Sequence, residues 1–141
     1  MPDVLSDIDR EFLARPRLGF LTVAPASPTG WPSPRPVWFE RMPAGEVQVF
    51  SGARSPKVAR VRATPKASLL VANEVGEPEH WILFVGAAAV HADGAGDLAE
   101  RLAERYWDLG DPVRAASLRG FLTSELVRIV ITPEKVTRYG G

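Results

Sequence analysis

The residues best placed to do chemistry lie between Ser51 and Lys66, in SGARSPKVARVRATPK. Arg54, Lys57, Arg60, Arg62 and Lys66 fall here with no acid among them, in a chain whose formal net charge is zero. Ser55 is a good helix N-cap, because its hydroxyl can accept from a backbone N–H of the first turn. Pro56 follows at the first helical position, where a missing N–H costs nothing. Thr64-Pro65 stops the helix, since a residue before proline is pushed out of the α region. A helix N-terminus favours anions through its free N–H groups and its dipole, and Arg54 and Lys57 flank this one. Two readings stand side by side: a phosphate site, or an ordinary solvated basic face.

A second candidate is Ser33 to Glu40, SPRPVWFE. Pro34 and Pro36 cannot donate to a strand ladder, so this segment is an edge, a bulge or a bend. Backbone that cannot pair with a strand can face a ligand; the alternative is that the prolines only protect an edge from aggregation. Trp38 sits beside that interrupted backbone, and of the four tryptophans it alone is singled out as a ligand contact. The other three suit core or interface.

The rest of the inventory excludes more than it offers. There is no G-x-S-x-G elbow and no G-x-G-x-x-G or Walker pattern. Glu77 and Glu79 lie in a turn and read as solvated. The chain has no cysteine, which removes disulfide and thiolate chemistry, and its two histidines, His80 and His91, do not suggest a zinc or haem site. A phosphate site with aromatic surface, but no acid–base machinery, suits a protein whose cofactor does the hard chemistry.

The elements that must position these residues follow from pattern. Residues 3 to 14 carry Leu5, Ile8 and Phe12 at helical spacing. Leu18 to Ala24 is a strand ended by Pro25, with Ser33 to Glu40 as its partner. Val47 to Phe50 begins a strand that Ser51-Gly52 breaks, and Ala67 to Asn73 is a buried strand. His80 to His91 is a long strand in which Gly86 marks a bulge or close packing. Asp97 to Leu109 is a helix, Asp111-Pro112 starts another that runs to about Leu118, and Leu126 to Thr132 is a strand followed by an extended terminal piece. About six antiparallel-compatible strands without regular βα alternation predict a mainly β fold: a small antiparallel barrel with flanking helices. At 141 residues the chain is expected to be a single domain, 1–141. No apolar run reaches the roughly 20 residues of a membrane span. The N-terminus has acids where a signal peptide has bases, which points to a cytoplasmic protein. A pI near 6.7 argues against general nucleic-acid binding.

The order LGFLTVA, WPSPRPVWF, VFSGARSPKVARVRATPKASLLV, WILFVGAAAVHAD resembles the pyridoxamine 5'-phosphate oxidase-like, FMN-binding split-barrel family. It looks closest to the actinobacterial branch that includes deazaflavin (coenzyme F420) dependent reductases. The resemblance spans roughly residues 10 to 135 and is most specific over Ser51 to Ala67. It implies a six-stranded split β-barrel homodimer with cofactor sites at the subunit interface. The cofactor phosphate would meet Ser51, Arg54, Ser55 and Lys57, and the ring would lie along Arg35, Pro36, Val37 and Trp38. Pro56 stands where the oxidase has a base, and Glu40 near where it has a lysine. Both departures disfavour the oxidase's own activity, while Arg54-Ser-Pro-Lys57 resembles the phosphate loop of the deazaflavin branch. The implied function is hydride transfer between bound F420, preferred over FMN, and a small molecule. Alternatives are a non-catalytic flavin or haem carrier or sensor on the same fold, with His80 or His91 as the haem-ligand candidates, and, more weakly, a nucleic-acid-binding barrel.

Overall fold

The structure, a computed structural model, describes residues 4–141; Asp3, expected in the first helix, lies outside the described residues. Helix α1 (Asp7–Ala14) starts at Ser6, whose hydroxyl accepts from the Asp9 amide while the Asp9 carboxylate accepts from the Ser6 amide. This reciprocal box satisfies two amide donors at the helix start. Strands β1 (Gly19–Val23), β2 (Arg35–Val37), β3 (Glu40–Arg41) and β4 (Val47–Gly52) follow, then α2 (Pro56–Ala63) and β5 (Lys66–Ala72). The chain continues through β6 (His80–His91), α3 (Ala95–Tyr106), α4 (Pro112–Leu122) and β7 (Leu126–Gly140).

All seven strands form one antiparallel sheet in the order β2-β1-β5-β6-β7-β4-β3. Its two edge strands are neighbours in sequence. β2 pairs with β1, Pro36 opposite Phe20, and β3 pairs with β4, Glu40 opposite Gln48. Only Trp38 and Phe39 lie between them, so the sheet curls until its edges approach, as a split barrel. The expected single strand from Ser33 to Glu40 is thus two short strands serving opposite edges, and the strand count is seven rather than six. Pro34 and Pro36 fit this place, since an edge strand needs no donors on its outer side.

The expected terminal piece is also continuous with the strand before it, because β7 passes through Pro133 without ending. It does so at a bulge: the register steps from Val85 opposite Lys135 to Gly86 opposite Pro133. Gly86 is required there. A Cβ on it would collide with the Thr132 carbonyl oxygen and sit 2.8 Å from the Glu134 nitrogen, both backbone atoms.

Period-two alternation puts Leu21, Leu69, Val71, Ile82, Phe84, Val47, Val49, Ile129 and Ile131 inside the barrel, where α1 adds Phe12 and Leu13 and α2 adds Val58 and Val61. Burying each such side chain contributes about 1.5–3 kcal/mol. Helix α3 packs Leu98 and Leu102, both with no exposure, against β4 and β7. A polar clasp ties α1 to the sheet: the buried Asp9 carboxylate accepts from Arg138 Nε at 2.6 Å and lies 2.8 Å from His80 Nε2. Glu77, expected to be solvated, instead holds the buried Arg17 guanidinium through two contacts of 2.5 and 3.0 Å.

Candidate functional site

The site grows from the place where the two sheet edges approach. Trp38 lies in that junction, and its ring is fixed on three sides. Tyr106, the last residue of α3, stacks on it at 5.2 Å with the planes 9° apart. Trp107 meets it edge-on at 4.6 Å and 88°, and Phe50 from β4 lies 6.1 Å away. Tyr106 is itself held, since its hydroxyl donates to the Arg17 carbonyl at 2.5 Å and accepts from the Phe39 amide at 3.3 Å. Burial pushes its phenol above the ordinary range, so it stays protonated near neutrality.

In front of this cluster opens a cavity of about 400 Å³, lined by Leu18, Pro36, Val37, Trp38, Phe50, Lys57, Trp107 and Phe121. Lys57 is its one ionisable side chain. Burial lowers the Lys57 pKa below the ordinary lysine value, and the charge of Arg35 lowers it further. Two cations therefore stand close enough to repel, and neither Arg35 nor Lys57 pairs with a carboxylate among the described residues. A second cleft, about 560 Å³, lies along the β4–α2 turn and is lined by Gly52, Ala53, Arg54, Ser55, Ser124 and Glu125.

The start of α2 differs from expectation in one respect. Ser55 is the N-cap residue, with extended backbone, but its side chain makes no capping hydrogen bond. Its hydroxyl therefore remains available to another partner. Arg60, whose buried Nε has no hydrogen-bond partner, stands in the last turn of α2 and lines neither opening. The available Ser55 hydroxyl, with the unpaired Arg35 and Lys57, fits a phosphate-bearing group at this helix start.

The singled-out residues divide by place. Pro36, Val37, Trp38 and Lys57 share the aromatic cavity, and Arg54 and Ser55 share the second cleft. Arg35 is exposed on β2 but acts on Lys57. Ser51 is buried, donates to the Gly52 carbonyl at 3.1 Å, and lines neither opening. Sequence reasoning missed Phe50, Trp107 and Phe121 as lining. Their signal was weak, because an aromatic at a strand or helix end reads first as core. His80 is bound to Asp9 and His91 is exposed at the far end of β6. No group of three or more His, Cys, Asp or Glu side chains that could hold a metal occurs among the described residues. No helix among them is long and apolar enough to cross a membrane.

The family model described as pyridoxamine 5'-phosphate oxidase matches residues 6–138. The chain belongs to that family. No functionally curated protein matches it in sequence. Among solved structures it is similar to an F420 reductase, with TM-score 0.70, 20% identity, and coverage of 97% of this chain and 98% of that one. It is also similar to an FAD-binding protein from Mesorhizobium loti (TM-score 0.61, 23% identity, 95% and 92% covered). A third is HutZ, the heme storage protein from Vibrio cholerae (TM-score 0.70, 14% identity, 94% and 93% covered). At such identities the likeness carries the fold alone. These neighbours share the fold and are named for different ligands, so the fold by itself does not fix the ligand here.

Proposed function

We propose that this chain is a flavin- or deazaflavin-dependent oxidoreductase, binding coenzyme F420 in preference to FMN. The observation that carries the reading is the unbalanced cation pair, Lys57 beside Arg35, opening onto an aromatic cavity. Lys57, Arg54 and the free Ser55 hydroxyl would hold the cofactor phosphate at the start of α2. Pro36, Val37 and Trp38 would lie along the ring, and Ser51 would support the turn from below. When bound, such a ring supplies a hydride to the acceptor and water supplies the accompanying proton. The protein residues bind and orient the ring. The preference for F420 rests on Pro56 and Glu40, which remove the bases an FMN oxidase would place there.

The site is proposed to be completed by a second copy of the chain in a cytoplasmic homodimer. One sheet face supports this: Phe20, Leu70 and Leu83 lie in one cross-strand row. Phe20 is 37% exposed, and Val85 and Tyr139 on the same face are 40% and 52% exposed. Contiguous apolar surface of this kind marks an interface.

The test is a titration of purified protein with F420 and with FMN, followed by fluorescence. Micromolar binding of either, tighter for F420, is expected; binding of neither would refute the reading. A second reading, a non-catalytic flavin carrier, is favoured by one observation: the cavity lining holds no carboxylate, imidazole or thiol, and so offers neither a proton-transfer group nor an imidazole or thiolate for haem iron. A visible spectrum of the protein as purified, followed by a search for turnover of bound reduced cofactor, separates the two.

A further inference from the structure

The ladder between β1 and β2 stops at the edge of the cavity, and Tyr106 stands at the break. Gly19 faces Val37, Phe20 faces Pro36 and Leu21 faces Arg35. Pro36 has no N–H to give, so Phe20–Pro36 is a non-hydrogen-bonded pair. Gly19–Val37 is then a hydrogen-bonded one, since the two kinds alternate along an antiparallel ladder. Carried two residues further, the same register sets Arg17 opposite Phe39 as the next hydrogen-bonded pair, in which the Phe39 amide would donate to the Arg17 carbonyl. That direct bond is not made. The Phe39 amide donates instead to the Tyr106 hydroxyl at 3.3 Å, and the hydroxyl donates to the Arg17 carbonyl at 2.5 Å. One phenolic oxygen is thus inserted into the rung, and two contacts span a gap that a single bond of about 2.9 Å would close.

The consequence falls on the site. Between the inserted hydroxyl and the last direct rung lie Leu18 and Trp38, opposite each other in the same register. Neither belongs to a strand, and both line the aromatic cavity. Tyr106 can hold such a wedge because α3 is anchored on several sides. Leu98 and Leu102 are fully buried, Arg101 grips the Glu40 carboxylate at 2.9 and 3.0 Å, and Arg105 donates to the Leu13 and Arg15 carbonyls. The Tyr106 ring also stacks on Trp38, so one residue sets both the strand spacing and the tilt of the indole.

We propose that Tyr106 is a positioning residue, whose hydroxyl props the β1–β2 edge open so that the cavity at Leu18 and Trp38 is wide enough to take a cofactor ring. Calling that ring a flavin or deazaflavin rests on the function proposed above; the wedge does not. Without the hydroxyl, the Phe39 N–H and the Arg17 carbonyl lose their partner, and an unmet backbone group away from water is costly. The strands then draw together until amide and carbonyl bond directly, and the cavity narrows.

The test is Tyr106→Phe in the full chain, which keeps a ring against Trp38 and removes only the oxygen. Closure is read by NMR of isotope-labelled protein. A cross-strand NOE between the α-protons of Leu18 and Trp38 should be stronger in the variant than in wild type, because a closed non-hydrogen-bonded pair brings its Cα atoms to about 4.5 Å. Riboflavin and FMN, titrated by fluorescence, should weaken by one common factor of about three- to ten-fold, since the isoalloxazine is what loses room. Lys57→Ala, by contrast, weakens FMN alone. Tm should stay within about 4 °C of wild type, because the direct rung replaces the relayed one; a bond serving stability alone would lower Tm and spare the flavins. An unchanged NOE, or flavin affinities within about two-fold of wild type, would overturn the proposal, since a water would then serve in place of the hydroxyl. Wild-type protein that binds neither FMN nor F420 would refute the flavin reading, and the NOE comparison would then decide the wedge by itself.

Discussion

Removing the Lys57 ammonium is the most informative single perturbation of the proposed site. A charge-assisted hydrogen bond contributes about 1.5–3 kcal/mol, which corresponds to roughly 10- to 150-fold in affinity. Two features place Lys57 toward the upper part of that range. Burial has already stripped part of its hydration, and Arg35 adds like-charge repulsion, so the free protein holds an ammonium whose pKa is pushed down. A phosphate relieves both. The assay is a titration of wild-type and Lys57→Ala protein with FMN and with riboflavin, which share a ring and differ by the phosphate. The same pairing applies to F420 and its phosphate-free chromophore. Lys57→Ala should weaken the phosphorylated ligand by one to two orders of magnitude and the phosphate-free ring by less than about two-fold. The pH dependence has a definite sign. Binding is strongest below the pKa of free Lys57 and weakens as pH rises through it; the bound anion raises that pKa, so alkaline binding takes up protons. Lys57→Ala should abolish this alkaline decline. Equal losses for FMN and riboflavin would make Lys57 a packing residue and refute the argument.

Four other outcomes follow from the geometry. Burial works to raise the Asp9 carboxyl pKa, but hydrogen bonds from Arg138, the Ser6 amide and His80 outweigh it and hold the pKa at about 2. Against an unfolded value of about 3.9, the native state should lose about 2–3 kcal/mol as pH falls from about 5 through 2, a slope that denaturation in Asp9→Asn should lack. Gly86→Ala should cost at least about 3 kcal/mol, read as a lowered Tm, because the new Cβ meets backbone on β7 that cannot swing aside. Ser55→Ala should leave unfolding free energy within about 0.5 kcal/mol of wild type, where loss of a working cap would cost about 1 kcal/mol; the reason is that Ser55 makes no capping bond here. Leu83→Glu, on the exposed sheet face, should give a folded monomer by light scattering if that face joins two copies.

Much of the architecture was legible because it rests on local rules. β6 was readable to the residue, since Gly86 and the β-branched run leave few alternatives. Helix α2 was equally plain from Ser55, Pro56 and Thr64-Pro65. The errors occur where a distant partner decides. Pro133 suggests a strand end until Gly86, nearly fifty residues away, supplies the bulge that carries β7 past it. Glu77 looks like a turn acid until Arg17 is found buried beneath it. The helix expected to run from Asp111-Pro112 to about Leu118 continues to Leu122, past Gly120; a Cβ at Gly120 would meet nothing within 4 Å, so no contact explains a glycine there. Pro36, Trp38 and Lys57 could be singled out from chain-local chemistry, and Val37 from the family resemblance. Trp107 and Phe121 could not, because their role arises only when α3 and α4 fold back over β4.

The same segment, Arg35 to Arg41, serves both the fold and the site, and this affects how variants there are read. It contributes only three paired residues to one sheet edge and two to the other. So short a ladder cannot by itself hold the two edges together. What remains is packing: Phe39 is fully buried, and Trp38 is enclosed by Tyr106, Trp107 and Phe50. Trp38 is thus a structural closure as well as part of the cavity wall. Truncating it would open a void among aromatic rings, with a cost of about 3–5 kcal/mol, and would displace Pro36 and Val37 along with it. Loss of ligand binding in Trp38→Ala would follow whether or not the ring touches the ligand. Lys57 avoids this ambiguity, since it is a half-buried cation without a carboxylate partner among the described residues, and removing its charge leaves the rings that close the barrel in place.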